Sequence, residues 1–210
     1  MTKLNSGRIL SEYSVNKDKM ARPKSDDKRN AILAAAIAVF AERGIWQAPT
    51  SAVSRAAGVA EGTLFTYFPN KDALLNELYR ALKQEMADAL LDNFPTEADV
   101  RSRVHHIWQR YVRWGMANPA KRKVLAELGV SDRITAESRD VGNAPFAEIE
   151  RMAADSAKRQ LIYPYPMAFV AAMLNGMAET TIAVMAQNSA ADLDYSEAGF
   201  EVFWRGIAKA

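Results

Sequence analysis

The chain has 210 residues, 49% of them hydrophobic, which is enough apolar material to build the core of one large domain or of a small and a larger one. It contains no cysteine, which excludes disulfides, thiolate metal sites and a cysteine nucleophile and agrees with a cytoplasmic location. Residues 1–75 carry 11 Lys and Arg against 7 Asp and Glu, while the rest carry 16 against 18, so a polyanionic partner is expected to meet the N-terminal third.

The first 24 residues are polar, basic and aperiodic, and we predict that residues 1–24 form a flexible arm. Because Met20-Ala21-Arg22-Pro23-Lys24 resembles a protein start, residues 1–19 are interpreted as a tag or an over-called start. No stretch approaches the roughly 20 consecutive apolar residues of a membrane span, and residues 1–20 lack an apolar signal-peptide segment. We therefore expect no contact with a membrane.

Helical periodicity begins after the arm. From Ser25, apolar residues at three- and four-residue spacing predict a helix that ends at Gly44. Two short helices follow: Thr50 is expected to cap the first, Gly58 ends it, and the second runs over residues 61–68. Asn70 is then expected to cap a long amphipathic helix at about residues 71–91.

Five further periodic segments follow, at about residues 97–117, 119–128, 131–158, 166–187 and 196–209, with Pro, Gly and Asn between them. No useful β-alternation occurs, so the predicted class is all-α, with about nine helices. The segment 166–187 is apolar on nearly every side. Such a helix is expected to be buried all round, either inside the protein or against a second copy of the chain.

The segment from Thr50 to Phe68 has the spacing of a helix-turn-helix, in which two short helices cross steeply and one enters a DNA major groove. Gly58 stands where the turn needs a positive φ. Five apolar residues around it are expected to pack inward, namely Val53, Ala56, Ala57, Val59 and Leu64. The alternative is an ordinary helical hairpin, but the second helix is short and its outward side chains are small and polar.

The residues from Gly58 to Leu75 resemble the signature of the TetR family, and the match runs without a gap from about Lys24 to Leu78. The resemblance implies a three-helix DNA-binding head that a fourth helix joins to a ligand-binding, dimerising body. We accordingly divide the chain into the arm, a helix-turn-helix head over residues 25–70 and a body over residues 71–210.

The matching positions and the side-chain chemistry suggest a role for each residue of the head. Phosphate contacts are expected from Thr50, Tyr67 and Lys71, and contacts with base edges from Glu61, Gly62, Thr63 and Thr66. Arg22, Lys24 and Lys28 are expected to add phosphate or minor-groove contacts. Phe65 departs from the family, which often has Tyr there. Alternatively, Tyr67 is a packing residue and Lys71 an ordinary first-turn lysine.

The body resembles RamR-type regulators of multidrug efflux at scattered residues, among them Leu82-Lys83-Gln84, Ile107-Trp108 and Gly199-Phe200-Glu201. The resemblance implies a repressor that leaves DNA when a bulky aromatic or amphipathic compound, often cationic, fills the body. It also implies pocket positions at Tyr79, Lys83 and Trp108, with Leu174 and Ala171 in place of that subgroup's phenylalanine and acidic residue. Further candidates are Tyr111, Phe146, Phe169 and Met173, each of which is alternatively a core residue.

The expected assembly is a homodimer through residues 166–187 and 196–209, with its two heads about one DNA turn apart on a palindromic operator. Ligand binding is expected to tilt the fourth helix and change that spacing. We expect no cofactor, no metal and no enzymatic activity, because known catalytic motifs are absent and His105-His106 would point about 100° apart on a helix. The alternative function is a helical ligand carrier or protein-interaction module that does not bind DNA.

Overall fold

The computed structural model describes residues 24–187 and 194–209, and these form ten α-helices. Within the described residues no strand occurs, and extended backbone pairs only in an isolated antiparallel bridge between Ile162 and Ala208. The all-α prediction is therefore confirmed. In chain order the helices are α1 (Lys24–Arg43), α2 (Thr50–Ala56), α3 (Glu61–Tyr67), α4 (Lys71–Leu91), α5 (Val100–Ala117), α6 (Pro119–Gly129), α7 (Ala136–Asn143), α8 (Ala147–Lys158), α9 (Met167–Gln187) and α10 (Tyr195–Ile207).

The segment predicted as one periodic unit over residues 131–158 contains two helices, α7 and α8. A short 3-10 turn, Ala144–Phe146, separates them and holds Pro145. The proline ring fixes φ and removes the N–H that an α-helix interior requires. The α-helical hydrogen-bond pattern therefore stops before Pro145 and starts again after it.

Three local signals of the head are confirmed, at Gly44, Gly58 and Asn70. Gly44 and Gly58 both have positive φ, at +80° and +66°, where a residue with a Cβ is strained. Asn70 caps α4, since its side-chain oxygen accepts a hydrogen bond from the backbone N–H of Ala73 at 2.8 Å. These residues set the chain directions between α1, α2, α3 and α4.

The core of the head continues into the body. Leu64 of α3 and Val53 of α2 are fully buried in one apolar cluster that also contains residues of α1, α4 and α6. Burying a side chain such as Leu64 stabilises the fold by roughly 1.5–3 kcal/mol. Because α4 and α6 belong to the body, the two parts are packed as one unit along these helices. The fully buried members of the cluster are Ile32, Ala36, Phe40, Ile45, Ala48, Val53, Leu64, Leu74, Val124 and Leu128.

Helix α6 is also bonded to the end of α1. The backbone N–H of Ile45 donates to Oε2 of Glu127 at 2.9 Å, and Nζ of Lys123 donates to the carbonyl oxygen of Ala41 at 2.6 Å. Two side chains of one body helix thus hold the chain segment that leads into α2.

The rest of the body packs around α5. Trp108 is fully buried, stacks on Phe203 of α10 and donates its indole N–H to the carbonyl oxygen of Ser196 at 2.8 Å. The C-terminal segment is tied to the segment before α9, because Tyr163 N donates to Ile207 O at 2.8 Å and Lys209 N to Leu161 O at 3.2 Å. These contacts hold α10 against α5 and α9.

Candidate functional site

Helix α3 presents one exposed face made of an acidic residue, two small residues and one aromatic residue. Glu61, Gly62, Phe65 and Thr66 are exposed, while Leu64 on the opposite side is fully buried. The hydroxyl of Thr66 donates to the carbonyl oxygen of Gly62 at 2.9 Å. A two-turn helix with a buried anchor and an outward face of this kind can enter a groove.

The first residue of that helix is held by α2. The hydroxyl of Thr50 donates to Oε1 of Glu61 at 3.2 Å. The expectation that Thr50 caps α2 is wrong, because α2 begins at Thr50 itself and Pro49 occupies the cap position. Ala56, expected to pack inward, is exposed because α2 ends there, whereas Ala57 and Val59 are partly buried against the head core.

Lys71 has internal hydrogen-bond acceptors. Its ammonium donates to the carbonyl oxygens of Ala48 at 2.7 Å and Trp46 at 3.2 Å. Burial lowers the pKa of Lys71, and the charge of Asp72 partly opposes this shift. The two carbonyls therefore offset the unfavourable position of a cation at a helix N-terminus, where an external anion was expected to do so.

The other residues expected to contact DNA differ in how accessible they are. Thr63 and Tyr67 are half-buried, and Tyr67 packs against the head core. Lys28 of α1 is exposed. Arg22 and the side chain of Lys24 lie outside the described residues.

Two exposed aromatic residues of the head were missed as candidates. Phe65 on α3 is 40% exposed and Trp46, in the segment before α2, is 55% exposed, with the Arg133 guanidinium 6.0 Å from its ring centroid. A large apolar side chain on a polar helix face is the sequence signal that could have identified Phe65. For Trp46 no periodic pattern gives its orientation, because it lies outside any helix.

Two adjoining cavities lie inside the body, with volumes of about 300 Å³ and 360 Å³. The first lies between α4, α5, α8, α9 and α10, and the second lies nearer the head, along α6. Four residues line both, namely Lys83, Met86, Tyr111 and Asn175. These volumes reach the lower end of the range found for small-molecule sites.

The structure brings five of the eight predicted ligand residues to these cavities. Lys83, Tyr111, Phe146 and Leu174 line the first, and Tyr79, Lys83 and Tyr111 line the second. Ala171, the other position noted on α9, also lines the first cavity.

The remaining three lie elsewhere. Trp108 lies in the core between α5 and α10, which is the alternative that the sequence left open. Phe169 and Met173 are 50% and 43% exposed on the outer side of α9 and line neither cavity.

A polar network forms one wall of the second cavity. The Tyr111 hydroxyl donates to Oε1 of Glu179 at 3.1 Å, and the Arg122 guanidinium pairs with the same carboxylate. Burial raises the pKa of Tyr111, and the Glu179 charge adds to the shift. The phenol therefore stays neutral and acts as a hydrogen-bond donor.

Helix α9 is not buried all round within one chain. By length and composition it could cross a membrane, since its most apolar 18-residue stretch has a mean hydropathy of 1.4. Only 17% of the residues in that stretch are buried. Its exposed side carries Phe169, Met173 and small residues, and the neighbouring Val202 of α10 is 63% exposed. Of the two expected ways to bury this helix, the interior of the body is thus excluded.

The two histidines have separate partners. His105 Nε2 lies 2.7 Å from Oε2 of Glu197, while the His106 ring packs edge-on against Phe94. In the described part of the chain, no group of three or more His, Cys, Asp or Glu side chains is arranged to hold a metal ion.

Comparison with known proteins assigns the head. The model of the family of bacterial regulatory proteins named tetR matches residues 32–78, which include all of α2 and α3. A solved structure of a putative tetR family transcription regulator from Shewanella sp. PV-4 is similar with a TM-score of 0.79 and 26% identity, over 87% of this chain and 99% of that one. The head of the chain is thus similar to the DNA-binding part of tetR-family regulators, and its fold is similar to that of a whole regulator of this kind.

Similarity to curated proteins is limited to parts of the chain. The nucleoid occlusion factor SlmA of Haemophilus influenzae is 25% identical over 47% of this chain and 46% of its own length. The fatty acid metabolism regulator protein of Bacillus subtilis is 30% identical over 35% of this chain and 38% of its own length. The chain thus spans less than half the length of these curated relatives.

Proposed function

We propose that this protein is a dimeric transcriptional repressor that binds a palindromic operator and is released by a hydrophobic small molecule. The observation that carries the DNA-binding part is the exposed face of α3, opposite the buried Leu64. The Thr66 methyl group and the Phe65 ring are suited to thymine methyl groups, and Glu61 can accept from a cytosine amino group. The match of the head to the tetR family model supports the same function.

Gly62 gives this proposal a specific test. A Cβ added there would meet no atom within 4 Å, so packing within the chain does not require glycine. Alanine is also a better helix former than glycine by up to about 1 kcal/mol. Glycine on an exposed helix face is therefore explained by close approach of a DNA groove.

The experiment is fluorescence anisotropy on DNA from upstream of the protein's own gene, at several salt concentrations. Affinity should fall steeply as salt rises, because phosphate contacts release counterions, whereas a ligand carrier would show no such dependence. Gly62→Ala should keep the stability of the native protein and weaken operator binding roughly tenfold or more. Gly129→Ala, where an added Cβ also meets no atom within 4 Å, is the matched control and should bind normally. Normal binding by Gly62→Ala would contradict the proposed groove contact.

The proposed dimer forms through α9 and α10. A second copy placed against the exposed apolar side of α9 would bury Phe169 and Met173 and would cover Val202 of α10. Apolar burial is the main driving force for such an interface. The pairing would also fix the distance between the two α3 helices.

The proposed release mechanism uses helices that reach both the cavities and the head. Tyr79 and Lys83 line cavities on α4, whose N-terminus follows α3 directly. Helix α6 lines the second cavity with Leu125 and Ala126 and holds the segment before α2 through Glu127. A ligand that binds more tightly when either helix is in a different position would change the spacing of the heads. The shift in population between the two states is limited by the ligand's difference in affinity for them.

Because the body resembles multidrug-efflux regulators, we propose that the repressed gene encodes an efflux protein. Deletion of the regulator should raise transcription of that gene, and an unchanged transcript would contradict this target while leaving DNA binding intact. For the B. subtilis relative, its name states fatty acid metabolism as the regulated process, which supports a hydrophobic inducer as a class.

A further inference from the structure

The first cavity is apolar along its depth and polar at its opening. Its walls consist mainly of aliphatic and methionine side chains, among them Leu90, Val104, Ile107, Met152 and Ile207, together with the aromatic rings of Tyr111, Phe146 and Phe203. Its exposed rim carries Asn143, Glu150 and Asn175. The Phe203 ring already stacks on Trp108 and the Lys83 ammonium lies over the Phe146 ring, while Trp108 and Phe169 lie outside the cavity. Such walls favour a flexible hydrocarbon chain over a stacked ring system.

Lys83 places a cation at the junction of the two cavities without a hydrogen-bond acceptor. Among the described residues, its ammonium donates no hydrogen bond and forms no ion pair, and its contact is with the Phe146 ring, whose centroid lies 4.4 Å away. Burial lowers the pKa of Lys83, and the charge of Glu150 partly opposes this. A half-buried ammonium without an acceptor is costly, and a ligand oxygen would remove that cost.

The backbone of α7 packs against the stem of the Lys83 side chain. A Cβ on Gly142 would lie 3.3 Å from Cγ of Lys83 and 2.8 Å from Cε1 of Tyr79, so α7 lies directly on the Lys83 stem. Glu150, the other charged residue of the cavity, is exposed at the rim and not within ion-pair distance of Lys83. The two charges therefore occupy different places, with the positive one inside.

We infer that the inducer is an amphiphile with an unbranched aliphatic chain and one anionic head, bound with its head at Lys83 and its chain between α5, α8 and α10. This inference rests on the proposed ligand-binding function and narrows it. It narrows the bulky aromatic or amphipathic compounds, often cationic, that the sequence resemblance implies to an amphiphile whose head is anionic. The head oxygen accepts a hydrogen bond from the Lys83 ammonium, and the chain replaces water along the apolar walls.

The test is isothermal titration calorimetry of the full-length dimer with three ligands that share one chain, all below their micelle concentrations. The ligands are laurate, dodecanol and dodecyltrimethylammonium, whose heads are anionic, neutral and cationic. Laurate should bind at least about tenfold more tightly than the other two, because its head gains a charge-assisted hydrogen bond. Tightest binding of the cation would overturn the inference in favour of a site at Glu150.

Lys83→Met keeps the apolar stem and removes the charge. It should weaken laurate binding by roughly tenfold to a hundredfold and leave dodecanol binding unchanged, with the unfolding transition at the native position to show that the fold is intact. Glu150→Gln is the matched control and should not weaken laurate binding. Equal affinity of laurate for Lys83→Met and the native protein would overturn the inference.

Titration with ethidium, a flat aromatic cation, distinguishes failure of the inferred anionic aliphatic ligand from failure of the proposed ligand-controlled repression. Binding of ethidium without binding of laurate would overturn the anionic aliphatic ligand and leave ligand-controlled repression in place. If neither ethidium nor any of the three amphiphiles bound, both the inference and the proposed inducer site would be refuted.

Discussion

Replacing Glu127 by alanine should destabilise the head by an amount that the structure allows us to estimate. Oε2 of Glu127 accepts from the backbone N–H of Ile45 at 2.9 Å, and Ile45 is fully buried. The substitution leaves that N–H without its acceptor, which costs about 1–3 kcal/mol. The free energy of unfolding of Glu127→Ala should be lower by this amount.

The measurement is urea unfolding followed by circular dichroism at a fixed protomer concentration, since dimerisation makes apparent stability depend on concentration. Glu127→Gln keeps a side-chain oxygen that can accept from Ile45 and should recover most of the loss. Lys123→Ala removes the exposed bond from α6 to the Ala41 carbonyl and should change stability by less than about 0.5 kcal/mol. If Glu127→Ala unfolded at the native urea concentration, the role given to this hydrogen bond would be refuted.

Three further predictions concern the core, the interface and the head. Trp108→Ala should lower the free energy of unfolding by about 3–5 kcal/mol, measured by thermal or urea unfolding, because the indole is fully buried. If this variant instead kept the native stability and lost induction, Trp108 would belong to the ligand site. The double variant Phe169→Glu with Met173→Glu should sediment as a monomer with unchanged helicity, because both side chains are exposed in a single chain. A variant that remained dimeric would rule out this side of α9 as the dimer interface. Lys71→Ala should weaken DNA binding on all sequences and reduce the slope against log salt by about one, and an unchanged slope would mean that Lys71 only holds the Ala48 and Trp46 carbonyls.

The architecture of the head could be predicted because its signals are local. Gly58 is required by a positive φ, Asn70 by an unpaired N–H in the first turn of α4, and Leu64 by the spacing of apolar residues around it. Each of these depends on residues within a few positions in the chain. The Thr50 cap was predicted wrongly because the contact of its hydroxyl is not local. Its hydrogen-bond acceptor is Glu61, eleven residues away.

The cavity lining could not be predicted to the same degree, because it depends on which side of each helix faces the other elements. Adjacent residues on a helix point about 100° apart. On α5, Ile107 lines the first cavity while Trp108 lies in the core; on α9, Val170 lines it while Phe169 faces outward. Helix α9 carries apolar residues on every side, so its periodicity gives no orientation.

The bridge between Ile162 and Ala208 makes the segment after α10 part of the wall of the first cavity. Ile162 and Ile207 both line the first cavity, and the Ile207 carbonyl is bonded to Tyr163 N. Loss of the residues after α10 would loosen the cavity wall at Ile162 and Ile207 and admit solvent there. Under the proposed function, a truncation or fusion at this segment should consequently change the response to the inducer, although helix α3 lies in the N-terminal third of the sequence.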